Sequence, residues 1–126
     1  MKLIKLVDEL YVYRLNSLTG VHFPEVPTGE ESLVSLSVTG DEISLVAPEI
    51  SGLDIQSREG PWAGYRVEGT LDFGLTGILH SLTAPLAQAE ISVFAISTFD
   101  TDYLLVRKDA ASAAEAAWKS SGVDIH

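Results

Sequence analysis

Two short segments hold residue types that could do chemistry. The first is Asp72-Phe73-Gly74-Leu75-Thr76-Gly77-Ile78. It joins an alternating run to an apolar run of helical spacing, so it falls where a strand ends and a helix begins. The first N–H groups of a helix have no intrahelical partner, and the dipole is positive there. A ligand carboxylate would be well received at such a point. Gly74 and Gly77 would let it approach the backbone closely. A plainer reading gives Gly74 to a tight turn and Gly77 to helix–sheet contact. Neither GxGxxG nor a Walker-type loop is present, so this is not a phosphate loop. The second segment is Ser97-Thr98-Phe99-Asp100-Thr101-Asp102. Hydroxyls and two carboxylates in one turn could hold an α-amino group through charge-assisted hydrogen bonds. The same residues suit a hairpin turn in which Asp100 and Thr101 bond their own backbone.

Other chemistry finds less support. Asp100-x-Asp102 with Glu68 or His80 could hold Mg²⁺ or Ca²⁺ through oxygen ligands, but nothing resembles calcium-loop spacing. His80 falls off the apolar face of its helix, at an outward position. His22 and His126 lie in a loop and at the terminus. The many serines have no GxSxG elbow and no histidine placed to serve one. The absence of cysteine excludes disulfides, thiolate metal sites and a cysteine nucleophile. The expectation is a protein that is not an enzyme, with no catalytic residue, no metal and no cofactor.

The elements that must position the two segments are clearest in the second half. Tyr65, Val67, Gly69 and Leu71 alternate with polar residues, the period of a half-buried strand. Leu75, Ile78, Leu79, Leu82, Leu86 and Ala89 then follow helical spacing. Pro85 lies inside that pattern and predicts a kink or a locally broken turn. The apolar run Ile91 to Ser97 suits a central strand covered on both faces, or on one face plus a partner subunit. Thr98 to Thr101 turns the chain, and Asp102 to Arg107 returns as a strand. Asp109 is placed to cap a helix from Ala110 to Ser120, with Trp118 as its large anchor and Gly122 at C′. Val123 to His126 can add a short last strand. The order β-α-β-β-α-β is the ferredoxin-like, split βαβ plan.

The first half reads as a worn copy. Leu10 to Leu15 opens it, with Tyr11 and Tyr13 on one side. Val34, Leu36 and Val38 share a strand face, Gly40-Asp41 turns, and Ile43 to Ala47 returns. A loop from Asn16 to Glu31 stands where a helix is due, and Pro48 to Gln56 holds no helical run. The turn-rich stretch Ser57–Gly64, with Gly60-Pro61, reads as a linker anchored on the core by Trp62. The expected division is therefore 1–60, a reduced N-terminal unit, and 61–126, a complete C-terminal one.

Composition bounds the rest. The 126 residues suffice for one domain, or for two very small ones sharing a core. With 8 basic and 18 acidic residues, the net charge of −10 repels phosphate backbones and anionic lipid, so no nucleic-acid or membrane partner is expected. No signal-peptide pattern or membrane-length apolar run occurs, so a cytoplasmic location is expected.

Leu71 to Leu79, followed by Ile91 to Val106, resembles the CASTOR-type ACT domain family, and Val34 to Val46 resembles that family's first-domain hairpin. The segment Ile96 to Val106 is the most specific part. The resemblance implies an α+β, ferredoxin-like βαββαβ ACT domain preceded by a reduced, β-rich ACT-like half, a tandem repeat. It implies regulation without catalysis, through a small-molecule ligand of amino-acid type, in a homodimer. The animal members sense arginine and carry more ACT units per chain, so that ligand is not carried over. Asp72, Phe73, Gly74, Leu75, Thr76, Gly77 and Ile78 are then expected at the carboxylate end. Thr98, Phe99, Asp100 and Thr101 are expected at the amino group and side chain. The alternative is a structural, dimerising module that has lost its ligand.

Overall fold

Residue 60 is where the sequence breaks most clearly and where the backbone does not. In the computed structural model, which describes residues 1–22, 32–69 and 76–126, Ile55–Val67 forms a single strand, β5. The expected linker is the middle of it. The glycines there serve close approach rather than a turn. A Cβ on Gly60 would stand 2.8 Å from Tyr11 Cδ1, and one on Gly64 would stand 2.6 Å from Leu6 Cδ1. Pro61 has no N–H to give a ladder. It sits where the pairing shifts register between Leu10 and Val12, a bulge position that tolerates proline.

Strands β1 (Lys2–Lys5) and β2 (Leu10–Leu15) run in succession along one edge of β5, both antiparallel to it. Periodicity gave no sign of β1, because two lysines in four residues mask Leu3, which is fully buried. Beyond β2 lie β4 (Ile43–Ala47) and then β3 (Ser35–Val38). On the other edge of β5, residues 62–66 pair with β7 (Asp102–Arg107), which pairs with β6 (Phe94–Ser97). The short β8 (Asp124–Ile125) lies parallel to β1, completing eight strands in one sheet among the described residues.

The ferredoxin-like strand order is present twice. In β3-β4-β2-β5 the last strand lies beside the first, and the third lies between first and second. The chain reuses β5 as the opening strand of β6-β7-β5. The second copy departs from the plan at one point. β8 meets β1 instead of β5, so the N-terminal strand is inserted between first and last strands.

Helices α1 (Ile78–Gln88) and α2 (Ala111–Ser120) cover one face of this second copy. Leu3, Tyr65, Leu82, Leu86, Leu104, Val106 and Trp118 meet there with no exposed surface to speak of. α1 continues through Pro85 without the expected break, held by buried Leu82 and Leu86 on either side. The predicted strand Ile91–Ser97 is shorter and lies at an edge. Glu90 turns at φ 58°, the Ile91 N–H closes α1 on the Leu86 carbonyl at 2.8 Å, and only Phe94–Ser97 is strand. An apolar run alone cannot separate a helix end from a strand. Asp109 is not a cap. It lies in a 3-10 turn, Lys108–Ala110, and α2 starts one residue later than expected, after Ala110.

A polar cluster ties β1 to α2. The Tyr65 hydroxyl donates to Glu115 Oε2 at 2.6 Å, and Lys5 Nζ lies 2.8 Å from the same oxygen. Burial pushes the Tyr65 phenol up, and the Glu115 hydrogen bond adds to that. Burial alone would raise the Glu115 carboxyl too, but the hydrogen bonds from Lys5 and Tyr65 outweigh it and hold the carboxyl below its usual range. A depressed carboxyl stabilises the fold above its unfolded pKa and ceases to do so as pH falls through its folded pKa. Glu115→Gln is therefore expected to lower the melting temperature near neutrality. Its deficit should shrink between about pH 5 and pH 3, where wild type loses the same charge. A deficit constant over that interval would refute the role.

In the first copy no helix occurs among the described residues, and loop residues cover the sheet. Val21, Ile50 and Leu53 pack on Tyr13, Leu15, Leu45 and Ala47. The two covering loops cross at Gly20, where a Cβ would fall 2.0 Å from the Gly52 carbonyl oxygen, at φ 80°. Gly20→Ala is expected to destabilise by about 2 kcal/mol, from backbone strain and overpacking together. Gly52→Ala, at φ 84° with nothing within 4 Å, carries the strain alone and should cost about half as much. Urea midpoints of the two variants check the difference.

Candidate functional site

The second segment singled out by sequence is anchored at the end of β5. Thr101 is buried at 7% exposure, and its hydroxyl donates to the Val67 carbonyl at 2.8 Å. That bond fixes the β6–β7 turn against the point where the chain leaves β5 for α1. Within the turn, the Thr98 N–H and hydroxyl both donate to the Thr101 carbonyl, at 2.8 and 3.0 Å. The Thr101 N–H in turn donates to Thr98 Oγ1 at 3.3 Å. Ser97 Oγ donates to Asp102 Oδ1 at 2.6 Å. The turn therefore engages the Thr98 hydroxyl and the Asp102 carboxylate, and the Thr101 hydroxyl is engaged by Val67 outside it. Phe99, at 80% exposure, and Asp100 stand at the exposed tip.

Helix α1 begins at Ile78. Asp72, Phe73, Gly74 and Leu75 lie outside the described residues, as do Thr70 and Leu71 of the expected strand. Thr76 and Gly77 are exposed and Ile78 is half-buried. Gly77 is the N-cap, at φ 78°, with no side-chain cap and no acidic residue in the first turn. A Cβ on Gly77 would meet nothing within 4 Å, so among the described residues the sheet contact considered for this glycine is absent. The Ser81 N–H and hydroxyl both donate to the Gly77 carbonyl at 2.9 Å. Among the described residues no anion caps this helix start, and such a start can receive one at its first N–H groups.

Sequence reasoning missed two neighbours of this site, Arg66 and Lys2. Arg66, half-buried on β5, stands opposite Tyr103 in the ladder. Glu68, just past the end of β5, pairs with Lys2 at 3.4 Å, which brings the unforeseen β1 to the same end of the sheet. Arg66 was legible as a cation beside the glycine segment, whereas Lys2 was not. His80 is exposed, as its helical position predicted. Among the described residues no three His, Asp or Glu side chains converge as a metal site would need. None of the described helices is long and apolar enough to cross a membrane.

Comparison with known proteins adds a family and a fold. Residues 57–118 match the ACT domain family. The human protein CASTOR3P is 32% identical over 87 residues, 59% of this chain and 53% of that protein. The chain thus spans about half the length of this relative. The crystal structure of Atu0741 from Agobacterium tumefaciens superposes with a TM-score of 0.78 at 28% identity, covering 99% of this chain and 91% of the other. VC0802 from Vibrio cholerae, a protein of unknown function, shares the fold with a TM-score of 0.60 at 18% identity, over 94% of this chain and 89% of its own.

Proposed function

We propose that this chain, which is an ACT-domain protein of α+β, ferredoxin-like fold, is a non-catalytic regulatory sensor that binds a small ligand of amino-acid type. ACT domains suggest small-ligand regulation in general, and the choice of an amino acid is the finer step. The observation that carries it is the start of α1 at Gly77, which has no side-chain cap and no acidic residue in its first turn, while the Thr101–Val67 hydrogen bond holds the acidic turn at the end of β5. An α-amino acid has a carboxylate for the N–H groups of Gly77 and Ile78, and an ammonium for Asp100. Asp72, Phe73, Gly74, Leu75 and Thr76 complete the carboxylate end in this reading. Thr98 and Thr101 contribute shape, because the Thr98 hydroxyl serves the turn and the Thr101 hydroxyl donates to Val67. The two-unit division at residue 60 belongs to the same proposal, with the first half of β5 serving the reduced unit and the second half serving the complete one.

The engagement of Thr98 and Thr101 within the turn also favours the alternative, a module that keeps the fold and has lost its ligand. A thermal-shift screen against the common amino acids at millimolar concentration separates the two. A ligand at about 100 times its dissociation constant adds roughly 2.7 kcal/mol of stability. One selective shift supports the sensor, and a flat response across the set supports the structural module.

A further inference from the structure

The path β3-β4-β2-β5-β7-β6 has two margins. Among the described residues each margin is paired on one side only, β3 with β4 and β6 with β7. The sheet nevertheless curls enough to bring the margins to one place. Ser35 and Ser37 of β3, Ser44 and Val46 of β4, and Phe94 and Ile96 of β6 line a cleft of about 190 Å³. It lies on the face turned away from the helices. Phe94 and Ile96 stand opposite Leu105 and Tyr103 in the ladder, and all four belong with Val46 to one cluster. Leu104 and Val106, between them in sequence, point instead to the helices. The cleft is thus separate from the start of α1, and both halves of the chain build it.

Three hydroxyls set its chemistry. Ser37 is opposite Ser44 and Ser35 is opposite Val46, so all four share a face, while Leu36 and Leu45 point to the loop-covered core. Opposed Cβ atoms lie about 4.5–5.5 Å apart, and alternate residues along a strand about 7 Å apart. The hydroxyls therefore reach different points on one small guest. Strand positions beside an apolar cluster usually carry β-branched or aromatic residues. Serine there gives up packing, leaves room and adds a group that both donates and accepts. Among the described residues none of the three hydroxyls has a hydrogen-bond partner. No charged side chain of the described residues lines the cleft. Arg14, opposite Ser44 in the ladder, is taken up by Gln56, Glu42 and the Asp41 carbonyl.

We propose that this cleft binds a small, flat, uncharged heterocycle of the nucleobase class. One ring face would lie on Phe94, Ile96 and Val46, and the amide-type edge on the three hydroxyls. Size, charge and polarity each narrow the choice. A cavity of about 150 Å³ holds a benzene ring, so this one takes one ring system with its substituents. A free amino acid would leave both its charges unpaired, which an uncharged lining does not reward. A nucleotide phosphate would be repelled by the net charge of −10. A purely apolar ring would cover three hydroxyls and bond none of them. A ring with N–H and C=O groups in its plane bonds them, because a serine hydroxyl can turn to serve either. The site stands on its own residues and does not depend on the amino-acid reading of the α1 start.

Uracil and adenine are the probes, each titrated at millimolar concentration into the isotope-labelled full chain. At least one is expected to shift the backbone amide signals of residues 35–37, 44–46 and 94–96, and to leave those of 77–79 in place. Trp62, whose ring centroid is 6.3 Å from that of Phe94, gives a second readout through its fluorescence. Ser44→Val removes a hydroxyl and puts methyl groups in the cleft, so it should weaken binding about tenfold. Valine suits a strand, so circular dichroism should be unchanged. Ser37→Ala, at the exposed rim, should weaken binding several-fold, and Ser57→Ala on β5, outside the cleft, should bind as wild type does. No shift with either base would overturn the proposal. So would shifts confined to the start of α1, or undiminished binding in folded Ser44→Val and Ser37→Ala proteins. Saturable binding of glucose at the same amides, with neither base bound, would assign the cleft to a polyol and overturn it too.

Discussion

Trp118→Ala is expected to cost about 3–5 kcal/mol, the largest stability loss of any single truncation in this chain. Trp118 has 0% exposure and sits where both helices meet the sheet. Its ring stands edge-on to Tyr65, with centroids 4.9 Å apart, a geometry worth roughly 0.5–1.5 kcal/mol beyond area burial. The indole N–H donates to the Leu82 carbonyl at 2.8 Å, binding α2 to α1. No other side chain of α2 can replace it, because Ala111 and Ala114 are its other buried residues. The cavity left by truncation has little around it that can collapse inward. At this chain length the loss corresponds to a fall of roughly 10–20 °C in melting temperature. Trp118→Phe keeps most of the packing and loses the indole hydrogen bond, so it should cost about 1–2 kcal/mol. A Trp118→Ala melting temperature within a few degrees of wild type would refute this view of the core.

What was legible in the sequence follows from where burial is one-sided. Tyr65 and Val67 alternate, and Leu82 and Leu86 keep helical spacing, because each faces a core on one side and water on the other. The same logic placed α2, Trp118 and β7. It failed where a residue's role depends on a distant part of the chain. Gly60 and Gly64 resemble turn residues, yet their missing side chains make room for Tyr11 and Leu6. Ser57, Arg58 and Glu59 show no alternation because that part of the strand is exposed on both faces. β1 is hidden by lysines that pair with Glu68 and Glu115. For the candidate site, the turn chemistry of Thr98 and Thr101 was readable locally. The bond that brings the turn to Val67 spans 34 positions, and no local pattern encodes it.

Gly77→Asp is expected to reduce ligand affinity by two orders of magnitude or more while leaving the protein folded. The position separates the two effects unusually well. A side chain there meets nothing within 4 Å, so the substitution creates no clash. The backbone at φ 78° is left-handed, which Asp tolerates better than most residues, at a cost of about 1 kcal/mol. Part of that cost is offset, because Asp at an N-cap accepts hydrogen bonds from the first-turn N–H groups. Those are the groups assigned to the ligand carboxylate. The variant therefore fills the site with its own anion and repels a second one. Gly77→Ala carries the same backbone strain with no charge, and its affinity should stay within about tenfold of wild type. Calorimetric titration of both variants, with whichever amino acid the thermal screen selects, distinguishes charge from strain. Equal losses in the two would assign the effect to backbone geometry. Wild-type affinity in a folded Gly77→Asp protein would move the ligand away from the start of α1 altogether.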